Sequence, residues 1–97
     1  MIEGGILMIL QYGSNRIWAE NEKKELLAEV LFPFEGEAIV NITHTFVDDS
    51  LRGQGAAGKL MQAAANVIRQ NHWKAKITCS YAVVWFKKHP EYNDILD

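Results

Sequence analysis

The feature that most constrains this chain is a β-rich run joined through a glycine turn to an amphipathic helix. Residues 38–47 are rich in β-branched and aromatic side chains, which predicts a strand. Residues 55–70 carry apolar side chains at helical spacing, which predicts a helix with one buried stripe. Because such a stripe must pack against another element, the strand–turn–helix unit predicts a helix lying on the face of a sheet.

The rest of the chain supplies further strands and a second helix. Residues 15–20 alternate weakly and predict a short edge strand, and residues 25–32 form an apolar strand. Residues 74–79 predict another strand, and residues 80–88 predict the last helix. The order is three antiparallel strands, a helix, a strand and a helix. Since a helix connects the third strand to the fourth, that pair can be parallel.

Length, charge and cysteine content limit the class of protein. The 97 residues suffice for one core, and we interpret residues 1–97 as a single domain whose residues 1–13 are loosely held. The net charge of −2 argues against nucleic acid and an anionic membrane surface as partners. The single cysteine, Cys79, excludes an internal disulfide. With no apolar run of about 20 residues, the expected location is cytoplasmic.

The turn before the helix has the features of a phosphate-binding turn. It consists of Arg52, Gly53, Gln54, Gly55, Ala56, Ala57 and Gly58. The glycines let the backbone approach a bulky anion, and the amides at a helix start carry partial positive charge. The arginine adds a forked cation. The turn therefore predicts a diphosphate held mainly by backbone amides, and the alternative is a flexible turn before a closely packed helix.

The pattern Arg52-x-x-Gly55-x-Ala57 resembles the R/Q-x-x-G-x-G/A signature of the GNAT (general-control-type N-acetyltransferase) superfamily. Its place after a long strand and before a long helix also matches. Together with the strings at residues 44–47, 78–81 and 88–92, the chain looks like the minimal, single-domain YjdJ-type subfamily. The resemblance covers roughly residues 15–96.

This resemblance implies an α+β (mixed α/β) fold. In that fold a mostly antiparallel sheet contains one parallel, splayed strand pair and is flanked by two main helices. The resemblance also implies acetyl-CoA as ligand and acetyl donor, an unidentified amine as acceptor, and no metal. Phe46 and Val47 would offer backbone to the pantetheine arm, residues 52–58 would hold the pyrophosphate, and the thioester would lie beside Cys79. Whether the protein is a monomer or a homodimer stays open.

The candidate catalytic residues follow from the needs of acetyl transfer, in which the leaving thiolate must be protonated. Many members of the family use a tyrosine of the last helix as the acid, and the matching residue here is Phe86, which has no proton to give. Cys79 is the first substitute, either as the acid or as a nucleophile that accepts the acetyl group. The alternative is a buried cysteine that acts as a small apolar residue.

Two further residues complete the set of candidates. His44 is the candidate base, expected on the strand face that carries Ile42 and Phe46, and its alternative is a hydrogen-bonded core histidine. Tyr81 is a candidate acid, and its alternative is a packing residue in the last helix. The histidines and Cys79 fall at no short ligand spacing, so we expect no metal site.

Three functions remain open from the sequence. The first is an acetyltransferase that moves acetyl from acetyl-CoA to an amine. The second is an acetyl-CoA-binding protein of the same fold without efficient transfer, which the missing tyrosine favours. The third is a small interaction domain whose glycine turn binds no ligand.

Overall fold

The structure is a computed structural model, and it describes residues 8–97. Within this range the chain forms seven strands, two α-helices and two short 3-10 helices. The strands are β1 Gln11–Gly13, β2 Arg16–Glu20, β3 Leu26–Leu31, β4 Phe34–Gly36, β5 Ile39–Ile42, β6 His44–Val47 and β7 Lys74–Ile77. The α-helices are α1 Ala56–Gln70 and α2 Ser80–Lys88, and the 3-10 helices are Asp49–Leu51 and Pro90–Ile95.

The first sheet has the spatial order β1-β2-β3-β6, and all its neighbours are antiparallel. A tight turn in which Asn15 takes φ +55° folds β1 back onto β2, so β1 forms the edge and the predicted strand at 15–20 lies inside the sheet. Residues 11–13, the end of the segment expected to be loosely held, form this edge strand. Residues 1–7 lie outside the described residues.

The predicted strand over residues 38–47 divides at Thr43 into β5 and β6. The inward-facing positions are Val40 and Ile42 before the break but Thr45 and Val47 after it. Side chains alternate along a strand, so one extra residue at the break reverses the two faces. This corrects the expectation that Ile42 and His44 share a face.

β5 belongs to a second sheet of order β4-β5-β7, in which β5 and β7 are parallel. The parallel register runs from Ile39 opposite Lys74 to Ile42 opposite Ile77. Immediately beyond, the amides of Thr78 and Cys79 both donate to the carbonyl of Ile42, at 3.2 and 3.1 Å. The chain after Ile42 then pairs with β3 instead of β7. The predicted mixed α+β fold with one parallel, splayed strand pair is confirmed.

Helix α1 covers the sheets with the predicted apolar stripe. Its fully buried side chains are Leu60, Met61, Ala64, Ala65 and Ile68. They pack with β-strand residues such as Ile17, Val30 and Val40 and with Trp85 and Phe86 of α2. Within residues 8–97, no helix is long and apolar enough to cross a membrane.

Candidate functional site

A groove of about 630 Å³ lies between β6, the glycine turn and the start of α2. Its walls are formed by Thr45, Phe46, Val47, Asp48, Asp49, Leu51, Arg52, Gly53, Gly55, Ala56, Ala57, Gly58 and Tyr81. The structure thus brings together all the residues predicted to hold a coenzyme except Gln54. The side chain of Gln54 donates to the carbonyl of Ser50 at 3.2 Å.

The glycine turn leaves unpaired amides at one end of the groove. Gly53 and Gly55 both take φ +78°, a left-handed conformation that glycine adopts without steric cost. A Cβ at either position would meet nothing within 4 Å, so backbone conformation rather than packing favours glycine here. Gly55 is the N-cap of α1 and its carbonyl accepts the amide of Lys59 at 3.1 Å. The amides that precede Lys59 in the first turn therefore suit an anion.

Arg52 lies at the mouth of the groove in an ion pair. Its Nε is 2.7 Å from the Oδ1 atom of Asp49, three residues earlier. Both side chains are largely exposed, at 76% and 87%. The guanidinium is therefore accessible at the groove, but the carboxylate of Asp49 partly neutralises its charge.

Strand β6 presents a backbone edge to the groove. The amide of Asp48 donates to the carbonyl of Leu27 at 2.7 Å, and the register pairs Phe46 with Glu29. Because an antiparallel ladder alternates, Phe46 and Asp48 turn their backbone groups to β3, while Val47 turns its amide and carbonyl away. Of the two residues expected to offer backbone to the pantetheine arm, Val47 has its backbone groups directed away from β3, and Phe46 contributes its half-exposed ring to the groove.

Cys79 lies directly behind the groove wall. It is half-buried, it is the N-cap of α2, and its thiol donates to the hydroxyl of Thr45 at a distance of 3.4 Å. Burial raises the pKa of the Cys79 thiol, but hydrogen bonds with the Thr45 hydroxyl and with the amides of Ala82, Tyr81 and Thr45 lower it. The balance leaves the pKa below the ordinary value of a thiol, which favours the reactive thiolate.

The other two candidate catalytic residues lie in different surroundings. Tyr81 lines the groove, and its hydroxyl is 3.7 Å from the position of a Cβ built on Gly58. Burial raises the pKa of Tyr81, so the hydroxyl keeps its proton at neutral pH. His44 instead lies on the opposite face of β6 from Thr45, with Nε2 3.8 Å from Glu29 Oε1. The structure therefore does not bring His44 and Cys79 together.

Sequence reasoning missed four residues of the groove lining, namely Thr45, Asp48, Asp49 and Leu51. Thr45 carries the hydroxyl that meets Cys79, and Asp49 holds Arg52. The spacing of Asp49 and Arg52 was a readable signal, because side chains three residues apart on a helical turn can pair. The contact between Thr45 and Cys79 joins residues 34 apart, and no local pattern indicates it.

A family model described as GCN5-related N-acetyl-transferase matches residues 16–95. The chain belongs to the GCN5-related N-acetyltransferase family. Enzymes of this family use acetyl-CoA as the acetyl donor. The narrower likeness to the YjdJ-type subfamily stays a prediction.

Known relatives and solved structures agree with this family. The NMR solution structure of a GCN5-like chain from Staphylococcus aureus is 31% identical, covers 93% of this chain and 88% of its own, and has a TM-score of 0.77. A ribosomal-protein-alanine N-acetyltransferase from Brucella melitensis has a TM-score of 0.55 at 20% identity, over 84% of this chain and 62% of its own. At that identity the likeness shows the fold alone.

Among curated proteins, two relatives called Protein NATD1, from Gallus gallus and from Homo sapiens, are each 36% identical to this chain over 63 residues. The match covers 65% of this chain and 57% and 56% of those proteins. The chain thus spans little more than half the length of these relatives.

In this member of the GCN5-related N-acetyltransferase family, Phe86 occupies the place where the resemblance predicts a tyrosine. Its ring is buried, at 3% exposure, and packs edge-on against Trp85 with a centroid distance of 5.0 Å. It lies outside the groove lining, in which Tyr81 supplies the phenolic hydroxyl. Within residues 8–97, no three His, Cys, Asp or Glu side chains are grouped so that they could hold a metal ion.

Proposed function

We propose that this chain binds acetyl-CoA in the groove and transfers its acetyl group to an amine. The observation that carries the proposal is the pair of left-handed glycines, Gly53 and Gly55, at the start of α1. They leave first-turn amides unpaired beside a strand edge whose Val47 backbone is turned away from β3. An anion-binding helix start and a free strand edge are what a diphosphate with an amide-bearing arm requires.

The proposed binding mode uses three parts of the groove. Amides of Gly53 and of residues 55–58 hold the pyrophosphate, whereas the amide of Gln54 already donates to the carbonyl of Leu51. Arg52 adds a charge-assisted contact. The backbone of Val47 pairs with the amides of the pantetheine arm, against the exposed part of the Phe46 ring. The thioester then reaches the level of Thr45, next to Cys79. A volume of about 630 Å³ lies within the range of small-molecule sites.

The proposed chemistry begins with the thiolate of Cys79. Its sulfur attacks the thioester carbonyl, a new carbon–sulfur bond forms to Cys79, and the bond to the coenzyme sulfur breaks. The leaving thiolate takes a proton from Tyr81 or from solvent. A neutral amine then attacks the acetyl-cysteine, gives one proton to the Tyr81 phenolate or to solvent, and releases Cys79 as a thiolate, which restores the starting state. A reduced cysteine is essential to this route, which suits the reducing cytoplasm.

A second candidate function is acetyl-CoA binding without efficient transfer. The observation that favours it is Phe86, because its buried phenyl ring cannot protonate a thiolate. Because His44 contacts Glu29 on the other side of β6, it does not act as a base for Cys79.

Titration with acetyl-CoA, followed by amide chemical shifts, tests the binding. We expect shifts at residues 45–58, and no shift there would overturn the proposal. Mass spectrometry after incubation with acetyl-CoA then looks for one added acetyl group on Cys79, with Cys79→Ser as control. A screen of small amines and lysine peptides separates the two functions, since only the transferase consumes acetyl-CoA in an acceptor-dependent way.

A further inference from the structure

The sulfur of Cys79 contacts the side chain of Thr45, which lies on β6, beyond the point where β5 and β7 separate. The Thr45 hydroxyl is 3.4 Å from Cys79 Sγ, and among residues 8–97 it makes no other side-chain hydrogen bond. In the alternating ladder Thr45, like Val47, turns its amide away from β3.

We propose that Thr45 is a positioning residue for Cys79, holding the sulfur at the groove and stabilising its thiolate form. This inference rests on the proposed role of Cys79 as the acetyl acceptor. Thr45 suits this role because it lines the groove and also contacts the sulfur behind the groove wall. A sulfur held on Thr45 therefore lies where a thioester in the groove would end.

The hydroxyl group matters because it can act in both directions. A hydroxyl accepts a hydrogen bond from the neutral thiol and, after rotation, donates one to the thiolate. Hydrogen bonds to an ionised partner are about twice as strong as neutral ones, so the contact favours the thiolate. A valine has nearly the same shape as threonine but offers neither donor nor acceptor.

The other groups around Cys79 leave this part to Thr45. From α2 the amides of Tyr81 and Ala82 approach the sulfur, and from β5 the carbonyl of Ile42 accepts the amide of Cys79. In the first turn of α2 the titratable side chain is Tyr81, which stays neutral, whereas Lys87 and Lys88 lie in the last turn. On β6 the titratable side chain is His44, whose imidazole contacts Glu29 on the opposite face. The leading influences on the thiol are burial and hydrogen bonds, and no charged side chain is among them.

The test is the pH dependence of alkylation by iodoacetamide in Thr45→Val, Thr45→Ser and the unchanged protein. Cys79 is the single cysteine of the chain, so thiol alkylation, located by peptide mass spectrometry, reports on this residue. We expect Thr45→Val to raise the apparent pKa by about one unit and to slow alkylation at neutral pH about tenfold. Thr45→Ser keeps the hydroxyl and should retain a profile close to that of the unchanged protein.

A Thr45→Val profile that matches the unchanged protein would overturn the proposal, as would a Thr45→Ser profile shifted as far as that of Thr45→Val. If Thr45→Val does not fold, as judged by circular dichroism, Thr45→Ala takes the place of Thr45→Val in the comparison. Alanine also lacks the hydroxyl, and it is not branched at Cβ. Acetylation of Cys79 by acetyl-CoA is measured separately. If no acetyl group is added to the unchanged protein while the alkylation profile still depends on Thr45, the covalent step fails and the positioning role stands.

Discussion

The hydroxyl of Thr78 donates to the side-chain oxygen of Asn41 at 3.0 Å, at the point where β5 and β7 part. Asn41 is 5% exposed, and its nitrogen donates to the carboxylate of Glu35. The amide therefore uses both its ends to join β4, β5 and the residue before Cys79. Because the oxygen and the nitrogen of this buried amide both have hydrogen-bond partners, Asn41 stabilises the point where β5 and β7 separate.

Replacing Asn41 by alanine should lower the free energy of unfolding by about 1–3 kcal/mol, since it removes two hydrogen bonds from a buried position. Urea denaturation measures the change. Asn93→Ala is the matched control, because Asn93 is exposed and should shift the value by less than about 0.5 kcal/mol. Equal effects of the two substitutions would show that the Asn41 network contributes nothing specific.

Replacing Gly55 by valine should weaken acetyl-CoA binding by at least about tenfold. A β-branched residue does not tolerate φ +78°, and a backbone that relaxes to negative φ moves the first-turn amides of α1. Isothermal titration gives the affinity. Gly36→Ala is the control, because Gly36 has open space around it and no positive φ. Unchanged affinity in a folded Gly55→Val protein would argue against the pyrophosphate site at this turn.

Replacing Asp49 by asparagine should tighten acetyl-CoA binding, by at most about fivefold, because it releases the Arg52 guanidinium from an exposed ion pair. Arg52→Gln should weaken binding, and the difference between these two variants should shrink as salt is added. The measurement is the dissociation constant at low and high ionic strength. Weaker binding by Asp49→Asn would mean that Asp49 organises the turn rather than competing for Arg52.

The pair formed by Arg69 and Asp94 predicts part of the acid sensitivity of the fold. Hydrogen bonds from Arg69 hold the pKa of Asp94 below its ordinary value of 3.8. Since the unfolded chain binds this proton at higher pH than the folded chain does, the contribution is present at neutral pH. It is lost as the pH falls below 3.8 and through the lower folded-state value.

Urea midpoints of the unchanged protein and of Asp94→Asn, measured near neutral pH and below pH of about 3, test this sign. We expect the unchanged protein to be the more stable of the two near neutral pH and the difference to narrow in acid. A difference that stays constant across the series would contradict the assignment. Asp97→Asn is a control for removing one exposed carboxylate of the same terminal region.

Local patterns in the sequence were enough for both α-helices and for most of the strands, but they missed the short strands β1 and β4. The apolar stripe of residues 55–70 depends on helical spacing alone, and the structure buries that stripe in α1. The parallel pairing of β5 with β7 was predictable because a helix lies between them along the chain. The glycines of the turn indicated an anion site, because a left-handed backbone and an exposed helix start are properties of a short segment.

Tertiary structure decided which side chains meet. The extra residue at Thr43 reverses the faces of the strand, so His44 pairs with Glu29 outside the groove, contrary to the strict alternation read from the sequence. The register with β3 directs the backbone of Val47 rather than that of Phe46 into the groove. The sulfur of Cys79 meets Thr45 only because β5 and β7 part after Ile42. Periodicity encodes conformation within one segment, whereas register and hydrogen-bond partners depend on how distant segments pack, and this chain's site is built from such long-range contacts.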